Sequence, residues 1–199
     1  MRNRISAIVG FGLALIGLAA IVVFGREDGA IWPFKARPIA DKCLPDNGTF
    51  GSFEPRRPPA AAPSEPFADG EGRERRLDEF QGKGVVLNFW ATWCAPCVRE
   101  MPALDRLSRI VGNDGIAVVA LSADRAGAPA VRDFYETNGI KHLGVLVDPT
   151  SKLVLKSGAK GLPTTLLIDP DGREVGRVVG PAEWDSAAVV AFLRRCLRG

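Results

Sequence analysis

The chain has 199 residues, 46% hydrophobic and 25% charged, which suits one globular domain with appendages. Its formal charge of +3 comes from 26 basic and 23 acidic residues. Setting aside Arg2 and Arg4 leaves 24 against 23, a nearly neutral body with no case for nucleic-acid binding.

Residues 5–24 carry no charge and are rich in Leu, Ile, Val, Ala and Gly. As a helix such a segment would span about 30 Å, the thickness of a bilayer's hydrocarbon. Arg2 and Arg4 precede it, whereas Arg26 is followed at once by Glu27 and Asp28. The positive-inside rule then leaves the N-terminus cytoplasmic and exports everything after the helix. This predicts a single-pass inner-membrane protein with a periplasmic, or otherwise extracytoplasmic, domain. A cleaved signal peptide is the rival reading, but Ile21-Val22-Val23-Phe24-Gly25 is a poor cleavage site. Either outcome exports the domain. The expected organisation is an anchor over 1–25, an extracytoplasmic linker or arm over 26–64, and a folded domain over 65–199.

Within the arm, Arg56-Arg57-Pro58-Pro59 and Ala60-Ala61-Ala62-Pro63 read as an extended spacer. The alternative is an irregular arm packed on the domain, pinned in part by Cys43. Beyond Phe67, Asp69-Gly70-Glu71-Gly72 predicts a hairpin turn and residues 77–80 a short helical turn. Residues 85–90 are almost continuously apolar, as for a strand buried on both faces. A helix follows with Met101, Leu104, Leu107 and Val111 as its apolar stripe and Gly112 as its stop. Residues 116–121 predict a second buried strand, and Val131, Phe134 and Tyr135 mark a second helix ending near Asn138-Gly139. A short apolar run over 143–147 comes next. Two strands, 164–168 and 174–179, then flank the turn Asp169-Pro170-Asp171-Gly172. Pro181 is expected to open a last helix running through Trp184 to Leu197. This order implies an α/β fold with a central mixed sheet flanked by helices.

The four cysteines form a close pair, Cys94 and Cys97, and a distant pair, Cys43 and Cys196. Trp90-Ala91-Thr92-Trp93-Cys94-Ala95-Pro96-Cys97 leaves a buried strand and opens a helix. At a helix N-terminus, unpaired N–H groups and the positive end of the macrodipole stabilise thiolate. Cys97, one turn further in, can close on Cys94, and Pro96 fits the first turn. A redox-active dithiol follows, with Cys94 the nucleophile and Cys97 the resolving thiol. A c-type haem would need histidine at position 98, which is Val98. Structural zinc would need a second close pair of ligands. A peroxidatic Thr/Ser-x-x-Cys motif is absent. Copper(I), which favours soft thiolates, stays open as an alternative: a copper-handling protein using the pair as a metal clamp. No cofactor or resident metal is expected. His142, the single histidine, has no nucleophile to pair with and is expected to be structural.

The stretch from Phe89 to Pro102 resembles the thioredoxin superfamily, and within it the membrane-anchored TlpA-like thiol–disulfide oxidoreductases, including cytochrome-maturation thioredoxins. Pro102 matches a helix-kinking proline of that group, and Gly161-Leu162-Pro163-Thr164-Thr165 matches its cis-proline loop. The resemblance runs from roughly Pro66 to the C-terminus and implies a thioredoxin-like fold. It implies that Pro163 is cis, that Leu162 offers backbone groups to an extended substrate, that Trp93 is an exposed platform, and that Trp90 is core. General thioredoxins carry a buried aspartate six residues before the first cysteine; here that position is Asn88, which cannot titrate. Members of the TlpA-like branch often carry a glutamate where Glu100 stands, beside Cys97 on the helix. Glu100 is therefore either a proton acceptor for the resolving thiol or a solvated first-turn acid. Cys196 follows Val189 and Phe192 at helical spacing and so faces the core. A structural Cys43–Cys196 disulfide is expected, as TlpA-like proteins also suggest; two separate buried thiols are the alternative. Implied partners are disulfide-containing exported proteins: a copper chaperone, an oxidase subunit or apocytochrome c. A transmembrane thiol donor would keep the pair reduced. Ala95 and Pro96 add no charge that would stabilise the reduced form strongly, which favours a reductant over a strong oxidant.

Overall fold

The structure, a computed structural model, describes residues 42–198. The expected membrane helix, and with it the anchor and the first part of the arm, lies outside the described residues. Among those residues no helix is long and apolar enough to cross a membrane.

The described strands are β1 (Phe53–Ala61), β2 (Phe67–Asp69), β3 (Glu74–Arg75), β4 (Gly84–Trp90), β5 (Ile116–Ser122), β6 (Leu146–Val147), β7 (Thr164–Ile168) and β8 (Arg173–Val179). They form one sheet in the order β1-β8-β7-β4-β5-β6-β2-β3. The β4–β5 and β5–β6 pairs are parallel and the others antiparallel, so the sheet is mixed. The helices that accompany it among the described residues are α1 (Ala95–Val111), α2 (Ala128–Asn138), α3 (Lys152–Lys156) and α4 (Ala187–Leu197). This is the thioredoxin-like α/β arrangement.

Strand β4 is buried along its whole length because it pairs on both edges and is covered on both faces. Its alternating side chains serve two cores. Val86 and Trp90 join the helix-lined cluster that includes Met101, Leu104, Val189 and Phe192. Val85, Leu87 and Phe89 join Leu121, Leu153 and Leu166 in the other. The stripe expected on α1 is buried at all four positions. Gly139, in the left-handed conformation with φ 65°, ends α2.

Three expectations change. The extended spacer is, over residues 53–61, the edge strand β1 pairing antiparallel with β8. Its prolines are tolerated because an outer strand need not donate along its free edge. Gly176 makes room for that strand, since a Cβ there would collide with the Phe53 ring. Secondly, the last helix starts at Ala187, not at Pro181. Ser186 caps it by accepting from Val189 N at 3.3 Å, while residues 181–185 are held in irregular backbone by contacts to Glu100 described below. Thirdly, the short helix α3 was not foreseen. The buried carboxylate of Asp148 accepts from the Lys152, Leu153 and Val154 backbone N–H groups and so organises its first turn.

Candidate active site

The site is built at the C-terminal end of β4. Register pairs Trp90 with Ser122 of β5 and Phe89 with Thr164 of β7. The loops after β4, after β5 and before β7 therefore share one edge of the sheet. Cys94 is the residue immediately before α1, in extended backbone, and its carbonyl accepts the first helical bond from Val98 N at 3.0 Å. Cys94 and Cys97 are joined by a disulfide with their Cα atoms 5.3 Å apart. Cys94 is 7% exposed and Cys97 fully buried, whereas the adjacent Trp93 is 70% exposed. Trp90 is core, its ring 5.9 Å from that of Tyr135. The Leu162–Pro163 peptide bond is cis, with Pro163 buried and Leu162 half-buried.

Glu100 is buried and fully engaged, which excludes the solvated-acid alternative. Its Oε1 accepts from Asn88 Nδ2 at 2.9 Å. Its Oε2 accepts from the Trp184 indole Nε1 at 2.8 Å and from Ala182 N at 3.0 Å. Asn88 donates also to Thr165 Oγ1 at 2.9 Å, tying α1, β4 and β7 through two hydrogen bonds. Burial pushes the Glu100 carboxyl above its ordinary range, and the donors Trp184, Asn88 and Ala182 pull it partly back. The non-titrating Asn88 thus sits against a carboxyl that does titrate.

Two supporting residues carried no motif. Asp124, buried after β5, accepts from Thr92 N at 2.9 Å and from Thr92 Oγ1 at 2.7 Å, and so fixes the loop that delivers Cys94. Ser122 Oγ donates to the same carboxylate at 2.7 Å. Asp105 of α1 accepts from the backbone N–H groups of residues 141–143. His142 is held there by its backbone while its side chain is exposed, so the structural role expected of it belongs to its main chain. A polar residue just past a buried strand, as at Asp124 and Asp148, was the available signal.

The second cystine joins Cys43 to Cys196, 153 positions apart, and both are buried. It fastens the arm to α4, where Arg195 also donates to the Leu44 carbonyl at 3.1 Å. No cluster of three or more metal-ligating side chains occurs among the described residues.

A cystine at the mouth of a helix, at the same end of a thioredoxin-like sheet as a cis-proline, defines the class: a thiol–disulfide oxidoreductase that acts on disulfide-containing substrates. Residues 54–192 match the profile of the Redoxin family, and the chain belongs to that family. It is 38% identical over 133 residues to the thiol-disulfide oxidoreductase ResA of Bacillus thuringiensis (strain Al Hakam), covering 67% of this chain and 76% of that protein. To ResA of Bacillus subtilis (strain 168) it is 32% identical over 134 residues, covering 67% and 74%. Among solved structures, the exposed lipoprotein thioredoxin of Streptococcus pneumoniae strain TIGR4 is similar at 29% identity with a TM-score of 0.56, over 66% of this chain and 98% of that one. A thioredoxin-family thiol:disulfide interchange protein of Chlorobium tepidum TLS gives 28% and 0.55, over 68% and 97%.

Proposed function

We propose that the chain is a membrane-tethered reductant of protein disulfides outside the cytoplasm, with Cys94 as nucleophile and Cys97 as resolving thiol. The observation that carries this reading is the cystine at the start of α1, with Cys94 at the helix mouth and Trp93 exposed beside it. In the reduced state the Cys94 thiolate attacks a client disulfide, forming a mixed disulfide and expelling one client thiolate. Cys97 passes its proton to the Glu100 carboxylate, attacks the Cys94 sulfur and expels the second client thiolate. Two electrons have then moved to the client, leaving the Cys94–Cys97 disulfide. An upstream transmembrane thiol donor returns the pair to the dithiol. Trp93, Leu162 and Pro163 frame the client segment, whose backbone pairs beside Leu162.

The uncharged segment 5–24 supports an anchor over 1–25 with the N-terminus cytoplasmic and the domain periplasmic. In the same reading the arm of 26–64 carries the domain of 65–199, its last part being the edge strand β1. The TlpA-like resemblance supports cytochrome oxidase copper-site assembly proteins or apocytochrome c as clients. The relatives named ResA support the oxidoreductase reading.

Trapping tests the proposal. A Cys97→Ser variant should accumulate mixed disulfides through Cys94 that dithiothreitol releases, and the captured proteins name the client. If nothing is trapped and the reduced chain instead binds copper(I) stoichiometrically in an equilibrium titration, the metal-clamp reading replaces this one.

A further inference from the structure

The carboxylate of Glu100 is held from a part of the molecule remote from the cysteine motif. Trp184, fully buried in the irregular segment before α4, donates its indole N–H to Oε2 at 2.8 Å. Phe50, from the arm, packs on Trp184 with ring centroids 5.7 Å apart, and on Phe192 at 5.4 Å. A few residues earlier the arm is fastened by the Cys43–Cys196 disulfide. Beside these rings runs a groove of about 450 Å³, lined by Thr49, Phe50, Glu100, Arg106, Ala182 and Glu183. Glu100 therefore lies at the base of a solvent-connected groove with the arm as one wall.

We propose that Trp184 and Phe50 are positioning residues for Glu100: Trp184 fixes the carboxylate, and Phe50, pinned by Cys43–Cys196, shields the groove through which the proton leaves. The inference rests on the reading of Glu100 as proton acceptor given above. A short aromatic chain would then let the arm tune the resolving step without touching either reactive sulfur.

The two residues act on Glu100 with opposite sign. Removing the indole donor destabilises the carboxylate, so Glu100 ionises at higher pH. Removing the Phe50 wall admits water, lessens desolvation, and lets Glu100 ionise at lower pH. The charged groups facing the same groove are Arg99 and Arg106 from α1 and Glu183 from the segment before α4; Arg106 is also paired with Asp185 at 2.6 Å. Asn88 from β4 and Thr165 from β7 do not titrate, and residues 48–51 of the arm carry no charge. Repeating the measurement in high salt screens the exposed charges and should leave the order of the shifts intact.

The test is the pH profile of single-turnover reduction of hydroxyethyl disulfide, a small neutral probe, by the reduced full-length chain. Glu100→Gln should remove one inflection. Trp184→Phe should move that inflection up by about half a pH unit, the scale of one modest hydrogen bond. Phe50→Ala and the Cys43→Ala/Cys196→Ala double variant should move it down. If Trp184→Phe does not fold, the latter two still decide. Unmoved inflections, a downward shift in Trp184→Phe, or an upward shift in either arm variant overturn the positioning roles. So does an inflection that survives Glu100→Gln. Absence of any Cys94-dependent turnover in the unmutated chain would instead defeat the oxidoreductase reading of this site. Carboxyl ¹³C NMR titration of Glu100 in the same variants would then still show, or fail to show, the opposed shifts.

Discussion

The chain carries two cystines that differ in almost every physical respect. Cys94–Cys97 closes a separation of three residues at a helix mouth and adjoins Trp93, the most exposed large aromatic among the described residues. Cys43–Cys196 closes a separation of 153 and is buried in the same core cluster as Phe192 of α4, against which Phe50 of the arm packs. Opening the first releases little chain entropy and yields a sulfur that the helix terminus stabilises as thiolate. Opening the second frees a loop for which chain-entropy models assign about 5 kcal/mol. In the proposed function one bond is made and broken and the other is kept. Sequence separation and local backbone, more than burial, tell them apart.

The largest effect that could break this contrast is on turnover. Cys94→Ser should abolish disulfide reduction, whereas the Cys43→Ala/Cys196→Ala double variant should retain it within a few-fold, as measured with a protein disulfide substrate. Stability should reverse the order. Urea unfolding should show the double variant losing about 2–5 kcal/mol, with Cys94→Ser far less affected. Next in size, Asp124→Ala should cost about 1–3 kcal/mol by orphaning the Thr92 donors, and should also slow Cys94 attack because the loop carrying it loosens. Equal unfolding curves for Asp124→Ala and the unmutated chain would contradict this. The smallest effect is the pH dependence of stability. Because Glu100 is raised from 4.5, the fold favours its neutral form. Its contribution is complete below about pH 4.5 and declines as pH rises through the higher folded value. Glu100→Gln should erase that decline in urea titrations.

What was legible in the sequence was local. The strand of 85–90, the hairpin at residues 169–172 and the stop of α1 at Gly112 each follow from neighbours a few positions away. So did the cysteine pair, because strand, turn and helix adjoin it in the chain. The misjudged features depend on distant partners. Residues 56–61 have a spacer's composition, and only β8, more than 100 residues on, makes them a strand. Pro181 is a plausible helix opener until Glu100 engages Ala182 and Trp184 and holds that backbone open. Asp124, 32 residues from Thr92, is an ordinary acid until the parallel β4–β5 register brings their loops together. Likewise, what excludes a solvated Glu100 is hydrogen bonding to residues 12 and 84 positions away.

The proposed chemistry requires Cys94 to be an ionised, reachable sulfur at the start of α1. The most direct measurement is the rate of alkylation of each cysteine by iodoacetamide in the protein whose Cys94–Cys97 bond alone has been reduced, followed by mass spectrometry across pH 4–10. Cys94 should be modified first, with an apparent pKa below the about 8.5 of a free cysteine, while Cys97 stays protected. Modification of Cys94 no faster than a free thiol at neutral pH, or preferential modification of Cys97, would contradict it.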